Sequence, residues 1–356
     1  MESRVNVTQK LAVSVIVCAR NEEKNIKSVL EGIIAQDYDL SFVEVIVADD
    51  QSTDSTEKIL QTYSNDFSFI KYFTVSGRER AKSPKKNALT QAINMAKGDI
   101  ILLTDADCVP TKNWISSHVS TYNLYPETEM VAGLSKTKPK ELSVAPLYQQ
   151  FEYIDFLVLM FAAQGAIQSG SPFSCSGQNL SYRKESFYGV SGFRGVENYI
   201  SGDDVLLMQK FVSRKKVVKF ACYANAYTET LPINSWKELI NQRARWASNL
   251  KRMFGMNFKF FVYLVSCFVS IGLLPFYGLF TLLIRMFFDE IFIKNALFHW
   301  EMEHSIVKNK LSALSESLFL RWYLISPIYI LVVTVFGTFS LFKWKGRSGT
   351  LLSSAK

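Results

Sequence analysis

The sequence predicts an α/β protein followed by membrane-spanning helices, and two observations support this. Residues 11–104 alternate short β-branched apolar runs with amphipathic helical stripes, the pattern of strands joined by crossover helices. Two later segments, 260–284 and 322–342, contain no charged residue. The first half of the chain, in contrast, has the mixed composition of a water-soluble protein.

Four apolar runs predict the strands of one sheet. They lie at residues 11–19, 42–48, 69–75 and 99–104. Because apolar residues continue along these runs instead of alternating with polar ones, both faces of the sheet are expected to be buried. Helices that cross over between successive strands make such a sheet mostly parallel.

Helices are predicted between these strands. The first follows Asn21 and has the i, i+3, i+4, i+7 apolar spacing of a helix that packs on a sheet. The second follows the capping residues 52–54, and the third covers 87–97 and ends at Gly98, which we interpret as its C-cap. The pattern then weakens, and two further helices are predicted at 146–168 and 203–212.

Composition excludes several classes of protein. An apolar share of 48% and a charged share of 20% do not fit a disordered chain. The five cysteines are odd in number and widely spaced, which argues against a disulfide scaffold and a structural zinc site. The net charge of +8 is concentrated in residues 71–97 and 235–259. Such clusters are typical of a phosphate-binding loop and a membrane-facing surface, with a nucleic-acid binder as the alternative.

The uncharged segments predict membrane spans near 258–284 and 322–342. A helix needs about 20 apolar residues to cross about 30 Å of hydrocarbon. Lysine and arginine residues precede the first span and follow the second, so both chain ends are predicted to be cytoplasmic. We therefore expect a multi-pass protein of the cell (inner or plasma) membrane, with its soluble half in the cytoplasm. A three-span alternative places the C-terminus outside.

Carboxylates follow two of the predicted strands where each strand ends. Asp49 and Asp50 end the second strand, and Asp105 and Asp107 end the fourth. Ligands of open α/β sheets bind at this edge, where carboxylates and substrate phosphates together suit Mg²⁺ or Mn²⁺. The basic loop 78–86 is expected near the same phosphates. The plain alternative is that these residues only form turns and cap helices. Carboxylates here would repel a nucleic-acid backbone, so no nucleic-acid partner is expected.

Two later patterns each have two interpretations. Asp203 and Asp204 begin a predicted helix, where they either complement the helix dipole or provide a general base. The run from Gln242 to Trp246 precedes the first predicted span. It is either an amphipathic helix at the membrane interface, or a site where Arg245 offsets diphosphate charge and Trp246 stacks on a sugar.

The order of these patterns resembles that of the family 2 glycosyltransferases. Five patterns follow one another as they do in that family, namely 13–19 with Arg20-Asn21-Glu22, Asp49-Asp50-x-Ser52-x-Asp54, Asp105-x-Asp107, Asp203-Asp204 and Gln242-x-x-Arg245-Trp246. The likeness covers residues 11–250. It is closest to the membrane-bound members, which include cellulose, chitin and hyaluronan synthases and ceramide glucosyltransferase. It implies the GT-A fold, a Rossmann-like mixed, mostly parallel sheet flanked by helices.

The resemblance implies a role for each matching residue. Lys85 is implied near the nucleotide phosphates, and Asp204 is implied as the general base. Because the family usually has Glu-Asp at that place, Asp203 is a second candidate for the base. The resemblance implies that Asp50, with Asp49 adjacent, lies beside the nucleoside. The metal is implied at Asp105 and Asp107, with Asp107 the more direct ligand. The resemblance implies that Asn179, Gln242 and Trp246 contact the acceptor and that Arg245 contacts the diphosphate.

The activity that the resemblance implies is that of a membrane-anchored inverting glycosyltransferase of the hexosyltransferase type. It would move a sugar from a nucleotide diphosphate sugar, with a UDP-sugar as the first expectation, to a lipid-linked or saccharide acceptor. Glycolipid, cell-envelope or exopolysaccharide synthesis is the expected setting. Residues 1–250 would form the catalytic domain and 251–356 the membrane region. The alternatives are a processive polysaccharide synthase, which so few spans disfavour, and a non-catalytic membrane-anchored nucleotide-binding protein.

Overall fold

The computed structural model describes residues 7–77, 83–221, 226–249, 308–344 and 347–348. The chain divides into two compact units. The first combines Met1–Lys136 with Ala166–Leu231, and the second combines Thr137–Gly165 with Pro232–Lys356. The predicted boundary at residue 250 and the predicted span 258–284 lie outside the described residues, so both stay predictions.

The described residues form the following elements. The strands are β1 (Val13–Ala19), β2 (Val43–Asp49), β3 (Ile70–Thr74), β4 (Ile100–Asp105), β5 (Cys108–Pro110), β6 (Thr128–Ala132), β7 (Leu134–Thr137), β8 (Leu180–Arg183), β9 (Val217–Phe220), β10 (Tyr227–Thr230), β11 (Lys343–Trp344) and β12 (Arg347–Ser348). The helices are α1 (Ile26–Ile34), α2 (Thr56–Asp66), α3 (Pro84–Met95), α4 (Trp114–Leu124), α5 (Leu147–Gln168), α6 (Lys184–Gly189), α7 (Val205–Ser213), α8 (Trp236–Ala247) and α9 (Lys308–Thr338).

A seven-stranded sheet forms the centre of the first unit, in the order β3-β2-β1-β4-β8-β6-β9. Strands β1 to β4 pair in parallel, which confirms the mostly parallel sheet expected from the alternation of strands and helices. Strand β8 runs antiparallel to both of its neighbours, and β6 pairs in parallel with β9. The sheet is therefore mixed, as the resemblance implies.

Apolar side chains bury both faces of the parallel part of this sheet. Consecutive residues of β1, Val15, Ile16 and Val17, have no exposed surface, although neighbouring side chains of a strand point to opposite faces. The face covered by α1 is packed by the predicted helical stripe, in which Ile26, Val29, Leu30 and Ile33 are buried and Ile34 is partly buried. Removal of this apolar surface from water is the main driving force for such a core.

Gly98 has a role that differs from the predicted helix cap. Helix α3 is capped at Ala96, so Gly98 lies beyond the cap. A Cβ atom at Gly98 would lie 2.5 Å from the backbone nitrogen of Ser14. The backbone nitrogen of Gly98 also donates to Oγ of Ser14 at 2.8 Å. The glycine is therefore required by the close approach of the chain to β1.

The chain beyond Asp107 contains strands that the hydrophobic pattern did not predict. Strands β5, β10 and β7 form a three-stranded sheet, in which Glu229 lies opposite Val109. They have only three or four residues each, too few for an alternating pattern to be recognised. Because β5 begins directly after Asp107, this small sheet fixes one end of the turn that contains Asp105 and Asp107.

The second unit is helical in its described part and contains most of α5, together with α8 and α9. Phe151 of α5, Leu239 of α8 and Tyr329 of α9 lie in its apolar core. The rings of Phe151 and Tyr329 pack edge to face, with centroids 4.8 Å apart. Gly337 lets α9 approach α8 closely, because a Cβ atom there would lie 2.7 Å from the carbonyl oxygen of Ala244.

The second predicted membrane span, 322–342, largely coincides with α9. In the part of the chain that the structure describes, no helix is both long and apolar enough to cross a membrane. Trp322, Tyr329 and Val333 of this segment pack in the core of the second unit.

Glu152 should make the stability of the second unit dependent on pH. It is 2% exposed, and its carboxylate accepts a hydrogen bond from the backbone nitrogen of Ile233 at 3.0 Å. Burial raises its pKa from 4.5 to about 7. Between these values the folded state keeps a proton that the unfolded chain releases. The free energy of unfolding should therefore fall as pH rises through this window, by about 3 kcal/mol.

The Glu152→Gln variant tests this expectation, because its amide can accept the same hydrogen bond but does not titrate. Denaturant unfolding of the two proteins should be compared at about pH 5 and about pH 8. We expect the variant to lose most of the stability difference between the two conditions. An equal pH response in both proteins would show that another group causes it.

Candidate active site

The carboxyl ends of three neighbouring strands meet at one edge of the main sheet. Ala19 of β1 lies opposite Asp49 of β2, and Cys18 of β1 lies opposite Asp105 of β4. Parallel pairing produces this alignment, because parallel strands end at the same edge. The acidic residues at the ends of β2 and β4 thus lie on either side of β1.

Asp49 and Asp50 have different partners, although both are buried. Oδ1 of Asp49 accepts hydrogen bonds from the backbone nitrogen and from Oγ of Ser52, at 3.2 and 2.5 Å. Oδ2 of Asp50 lies 3.6 Å from Nη1 of Arg20, which also donates to the Asp50 carbonyl at 3.2 Å. Asp49 therefore shapes the turn after β2, whereas Arg20 orients Asp50 at the sheet edge.

Two loops at this edge contain unusual backbone conformations. Asn21 has a φ of 54° and Gln51 a φ of 58°, in the left-handed region that residues other than glycine rarely adopt. Oδ1 of Asn21 accepts from the backbone nitrogen of Thr53 at 2.8 Å, and the Asn21 nitrogen donates to Oγ of Ser52 at 3.0 Å. These bonds tie the loop after β1 to the loop after β2. Residues held in such conformations are concentrated at functional sites.

Lys85 connects two of the three acidic patterns of the first unit, the one at Asp105 and the one at Asp203. It lies in the first turn of α3, which begins at Pro84. Its Nζ lies 2.8 Å from Oδ1 of Asp105 and 2.9 Å from Oδ2 of Asp203. Three residues that are far apart in sequence, and that were predicted from three separate patterns, are therefore in direct contact.

The charges of this cluster follow from burial and from these contacts. Burial alone would lower the pKa of Lys85, but Asp105 and Asp203 raise it well above its usual range. Burial alone would raise the pKa of Asp203, but Lys85 and Lys86 hold it below its usual range. At neutral pH, Lys85 is therefore an ammonium and Asp203 a carboxylate. A fixed ammonium at the carboxyl edge of a sheet can bind phosphate oxygens.

Asp105 and Asp107 fit a divalent cation. Single ligand atoms of Asp105, Asp107 and Cys108 lie within 4.8 Å of one another. Burial, and then the charge of Asp105, raise the pKa of Asp107 to about 6. Burial raises the pKa of Cys108 well above its usual range, so the thiol stays protonated and is a poor ligand. Because Lys85 pairs with one oxygen of Asp105, Asp107 is the carboxylate that fits Mg²⁺ or Mn²⁺ best.

Asp204 has a different environment from Asp203. Its Oδ2 accepts from the backbone nitrogen of Gly177 at 2.9 Å, and its Oδ1 accepts from that of Val205 at 2.6 Å. The side chain therefore caps α7, as the plain interpretation predicted. Burial, followed by the charge of Asp203, raises the pKa of Asp204. A carboxylate of raised pKa is the better base of the two.

The side chain of Asn179 lies in the core of the first unit. Its side chain has no exposed surface. Its Oδ1 accepts from Nε1 of Trp114 at 2.9 Å and lies 2.7 Å from Nε2 of His118. Its Nδ2 donates to the carbonyl of Leu134 at 2.7 Å. Both ends of the amide are therefore used within the core, and the acceptor contact predicted for Asn179 stays a prediction.

Gln242, Arg245 and Trp246 lie on α8, in the second unit, and all three are half-buried. Oε1 of Gln242 accepts from Nη1 of Arg243 at 2.5 Å, and the ring of Trp246 lies 5.8 Å from that of Phe156. These contacts belong to the second unit alone. The acceptor and diphosphate roles of the three residues stay predictions.

Lys86 is a residue that sequence reasoning did not single out. It is 2% exposed, and its Nζ donates to the carbonyl of Ser201 at 3.0 Å and to that of Tyr199. Both carbonyls belong to the segment that leads directly to Asp203. The signal in the sequence was the Lys85-Lys86 doublet. Adjacent helical residues point about 100° apart, so the two lysines were bound to have different partners.

Comparison with known proteins places most of these residues in a glycosyltransferase-like region of the chain. The family model described as Glycosyl transferase family 2 matches residues 14–189. The probable glycosyltransferase YdaM of Bacillus subtilis (strain 168) is 26% identical over 246 residues, which are 68% of this chain and 56% of that protein. The poly-beta-1,6-N-acetyl-D-glucosamine synthase of Staphylococcus aureus (strain COL) is 24% identical over 248 residues, covering 68% and 55%. The chain thus spans little more than half the length of these relatives.

Among the solved structures that resemble this chain, one is similar over most of its length. It is the mannosyltransferase PcManGT from Pyrobaculum calidifontis in complex with GDP-Man and Mn²⁺, with a TM-score of 0.59 and 18% identity. The alignment covers 94% of this chain and 89% of that chain. At this identity the likeness concerns the fold, which is a GT-A-like α/β fold with a mostly parallel central sheet flanked by helices.

Proposed function

Residues 14–189 form a glycosyl transferase family 2 domain, and from this premise we propose that the chain transfers a sugar from a nucleotide diphosphate sugar to an acceptor hydroxyl. The observation that carries the proposal is the contact of Lys85 with Asp105 and Asp203, at 2.8 and 2.9 Å. It places a positive charge for phosphates between the acidic patterns at Asp105 and Asp203. Asp204, the neighbour of Asp203, is then available as a base beside the same cluster.

The donor is proposed to bind along the ends of β2 and β4. Asp50, which Arg20 orients, is proposed to contact the nucleoside, and Lys85 the phosphates. We propose a UDP-sugar. The name of the staphylococcal relative makes N-acetylglucosamine the first sugar to test. Because the similar solved structure holds GDP-Man, GDP-sugars are the first alternative.

Asp107, assisted by Asp105, is proposed to hold Mg²⁺ or Mn²⁺. When bound, the cation supplies positive charge that offsets the charge of the departing diphosphate. Lys85 supplies positive charge to the same group. Arg245 is proposed to do likewise, because its position in the sequence pattern matches that of the family.

Asp204 is proposed as the general base. It takes the proton of the acceptor hydroxyl as that oxygen forms a bond to the anomeric carbon and the bond from this carbon to the diphosphate breaks. A single displacement of this kind inverts the anomeric centre. The hydrogen bonds from Gly177 and Val205 fix the carboxylate in place for this step.

The membrane is a further proposed partner, which would hold the catalytic domain on the cytoplasmic face of the cell membrane. Segment 258–284 has the composition of a span, and the basic residues of 235–259 suit an anionic leaflet. Apolar side chains also recur every three or four residues along one exposed side of α9. They are Leu324, Ile328, Leu331 and Val335. A membrane location is consistent with a lipid-linked acceptor, for which a free saccharide is the alternative.

A donor screen tests the proposed function. Membranes that contain the full chain would be supplied with UDP- and GDP-sugars, and the released nucleoside diphosphate would be measured with Mg²⁺, with Mn²⁺ and with EDTA. We expect one donor to be consumed, and EDTA to stop its consumption. Consumption of none of the donors in the presence of metal would overturn the proposal. Product sizing then separates single transfer, which we expect, from the ladder of a processive synthase.

Replacing Lys86 with Met should lower the rate of transfer about 10- to 100-fold, through misplacement of the segment that carries Asp203 and Asp204. The variant keeps the length of the side chain but leaves the carbonyls of Tyr199 and Ser201 without their buried donor. Hydrogen bonds to charged groups contribute about 1.5–3 kcal/mol. The measurement is nucleoside diphosphate release at saturating donor.

Lys184→Met is the matched control for this prediction. Lys184 also donates from Nζ to a backbone carbonyl, that of Ala96, away from the acidic cluster. This variant should keep transfer within about twofold of the wild-type rate. Equal losses in both variants would mean that the Lys86 effect is a general loss of stability.

A further inference from the structure

Helix α8 contains one buried arginine among the half-buried residues of the acceptor-side pattern. Arg243 is 5% exposed, whereas Gln242, Arg245 and Trp246 are half-buried. The resemblance provided roles for the three half-buried residues and none for Arg243. A buried guanidinium needs a compensating charge and hydrogen-bond acceptors.

Asp155 of α5 provides that charge. Its Oδ2 lies 2.8 Å from Nε of Arg243, and the two side chains are 8% and 5% exposed. The same carboxylate accepts from Nε1 of Trp322 and from the hydroxyl of Tyr329, each at 3.3 Å. Three donors from two other helices thus fix Asp155, and Asp155 fixes Arg243. All of these residues belong to the second unit.

The other end of Arg243 contacts two residues of the acceptor-side pattern. Its Nη1 donates to Oε1 of Gln242 at 2.5 Å. Its Cζ lies 4.2 Å from the centre of the Trp246 ring and 5.4 Å from that of Phe156. One guanidinium therefore orients an amide and covers one face of an indole. A planar fork of donors suits both tasks, and a lysine ammonium cannot perform them together.

We propose that the Asp155–Arg243 ion pair is the positioning element of the acceptor site. Because Arg243 holds the oxygen of Gln242, the free end of that amide is its NH₂ group, which donates to an acceptor oxygen. Because Arg243 covers one face of Trp246, a ligand can stack only on the opposite face. This combination suits a pyranose ring, which has an apolar face and hydroxyl or carbonyl oxygens at its edge. The inference rests on the proposed function and makes a saccharide the group next to the reacting hydroxyl.

Two variants test separately the role of the Arg243 guanidinium and the role of the Gln242 amide. Arg243→Lys keeps a positive charge beside Asp155 but loses the fork that reaches Gln242 and Trp246. Gln242→Glu keeps an oxygen for Arg243 but has a second oxygen in place of the NH₂ group. Arg321→Lys is the matched control, because Nη1 of Arg321 donates to Oε1 of Gln150 at 3.0 Å, an arginine–glutamine pair of the same kind in the same unit.

The kinetic probe is UDP-N-acetylglucosamine with chitotetraose as the acceptor. Arg243→Lys should raise the KM for chitotetraose about tenfold or more, with kcat and the donor KM within about threefold of wild type. Gln242→Glu should lose transfer to chitotetraose about tenfold or more. Arg321→Lys should match wild type. A fall in kcat with an unchanged acceptor KM in Arg243→Lys would overturn the proposal, as would equal effects in Arg321→Lys.

A spectroscopic measurement tests the same proposal without turnover. The emission of Trp246 is obtained as the difference between a protein and its Trp246→Phe derivative. In the Arg243→Lys background this emission should shift to the red, because the ring loses its guanidinium cover and gains water. Unchanged Trp246 emission would overturn the positioning of this ring. If wild type consumes no nucleotide sugar, the proposed function fails on its own, and this measurement still decides whether Arg243 positions Trp246.

Discussion

Replacing Asp204 with Asn is expected to slow sugar transfer about 10²- to 10⁴-fold while nucleotide binding stays close to wild type. An asparagine cannot accept the proton of the acceptor hydroxyl, so the attacking oxygen would have to lose it to water. The donor contacts proposed for Lys85 and Asp107 are untouched by the change. The measurement is nucleoside diphosphate release with saturating donor and acceptor, together with titration of the nucleoside diphosphate in the presence of Mn²⁺.

Asp203→Asn is the natural comparison, since the sequence left the choice between the two aspartates open. The structure separates them electrostatically, because the lysines hold the pKa of Asp203 down whereas burial raises that of Asp204. We therefore expect Asp203→Asn to weaken nucleotide binding as well as transfer, through its contact with Lys85. Full activity of Asp204→Asn would remove it as the base. A pure loss of turnover in Asp203→Asn would move the role to that residue.

Replacing Lys85 with Met should lower transfer about 10²- to 10³-fold, the range observed when one preorganised group that stabilises developing charge is removed. The change leaves the carboxylates of Asp105 and Asp203 without the ammonium that lies between them. It also removes the positive charge proposed for the diphosphate. We expect kcat to fall and the donor KM to rise. Nucleoside diphosphate release over a range of donor concentrations measures both constants.

Two control variants accompany Lys85→Met. Lys85→Arg keeps the charge and should retain more activity than Lys85→Met. Lys216→Met breaks an ion pair of the same unit, in which Nζ lies 2.6 Å from Oε1 of Glu129. It should leave transfer within about twofold of wild type. Transfer by Lys85→Met at the rate of Lys216→Met would contradict the role of Lys85.

The parallel part of the fold was predictable because burial on both faces leaves a strong signal. Strands β1 to β4 appear in the sequence as continuous apolar runs, and α1 appears as a stripe from Ile26 to Ile33. The insertion of β8 as an antiparallel strand was not predictable. It has four residues, and its partners β4 and β6 are distant in sequence, so only the folded sheet selects them.

The site was predictable where it depends on strand ends, and unpredictable where it depends on long-range contacts. Asp49 and Asp105 lie at one sheet edge because parallel pairing aligns the ends of their strands. The contact of Lys85 with Asp203 depends on the path of the intervening chain, which no local pattern encodes. Asn179 illustrates a second ambiguity of the sequence. The sequence does not distinguish an amide that binds a ligand from one that is hydrogen-bonded within the core, as the amide of Asn179 is.

Lys86 and Arg243 illustrate why supporting residues escape sequence reasoning. Each is a charged residue beside a residue with a predicted role, and each looks like part of a solvated basic cluster. Their burial, at 2% and 5% exposure, separates them from that cluster. Burial of a charged side chain costs free energy unless hydrogen-bond and ion-pair partners compensate for it. The partners of a buried charged residue therefore indicate which neighbouring groups it positions.

The most direct test of the central claim measures binding and turnover on one preparation of the full chain. Isothermal titration follows binding of the nucleoside diphosphate with Mn²⁺, and a parallel assay follows consumption of the donor sugar with membranes as the source of acceptor. We predict that wild type binds and consumes, and that Asp204→Asn binds within about threefold of wild type without consuming. Binding by wild type without consumption of any nucleotide sugar would contradict the account and indicate a nucleotide-binding protein without catalysis.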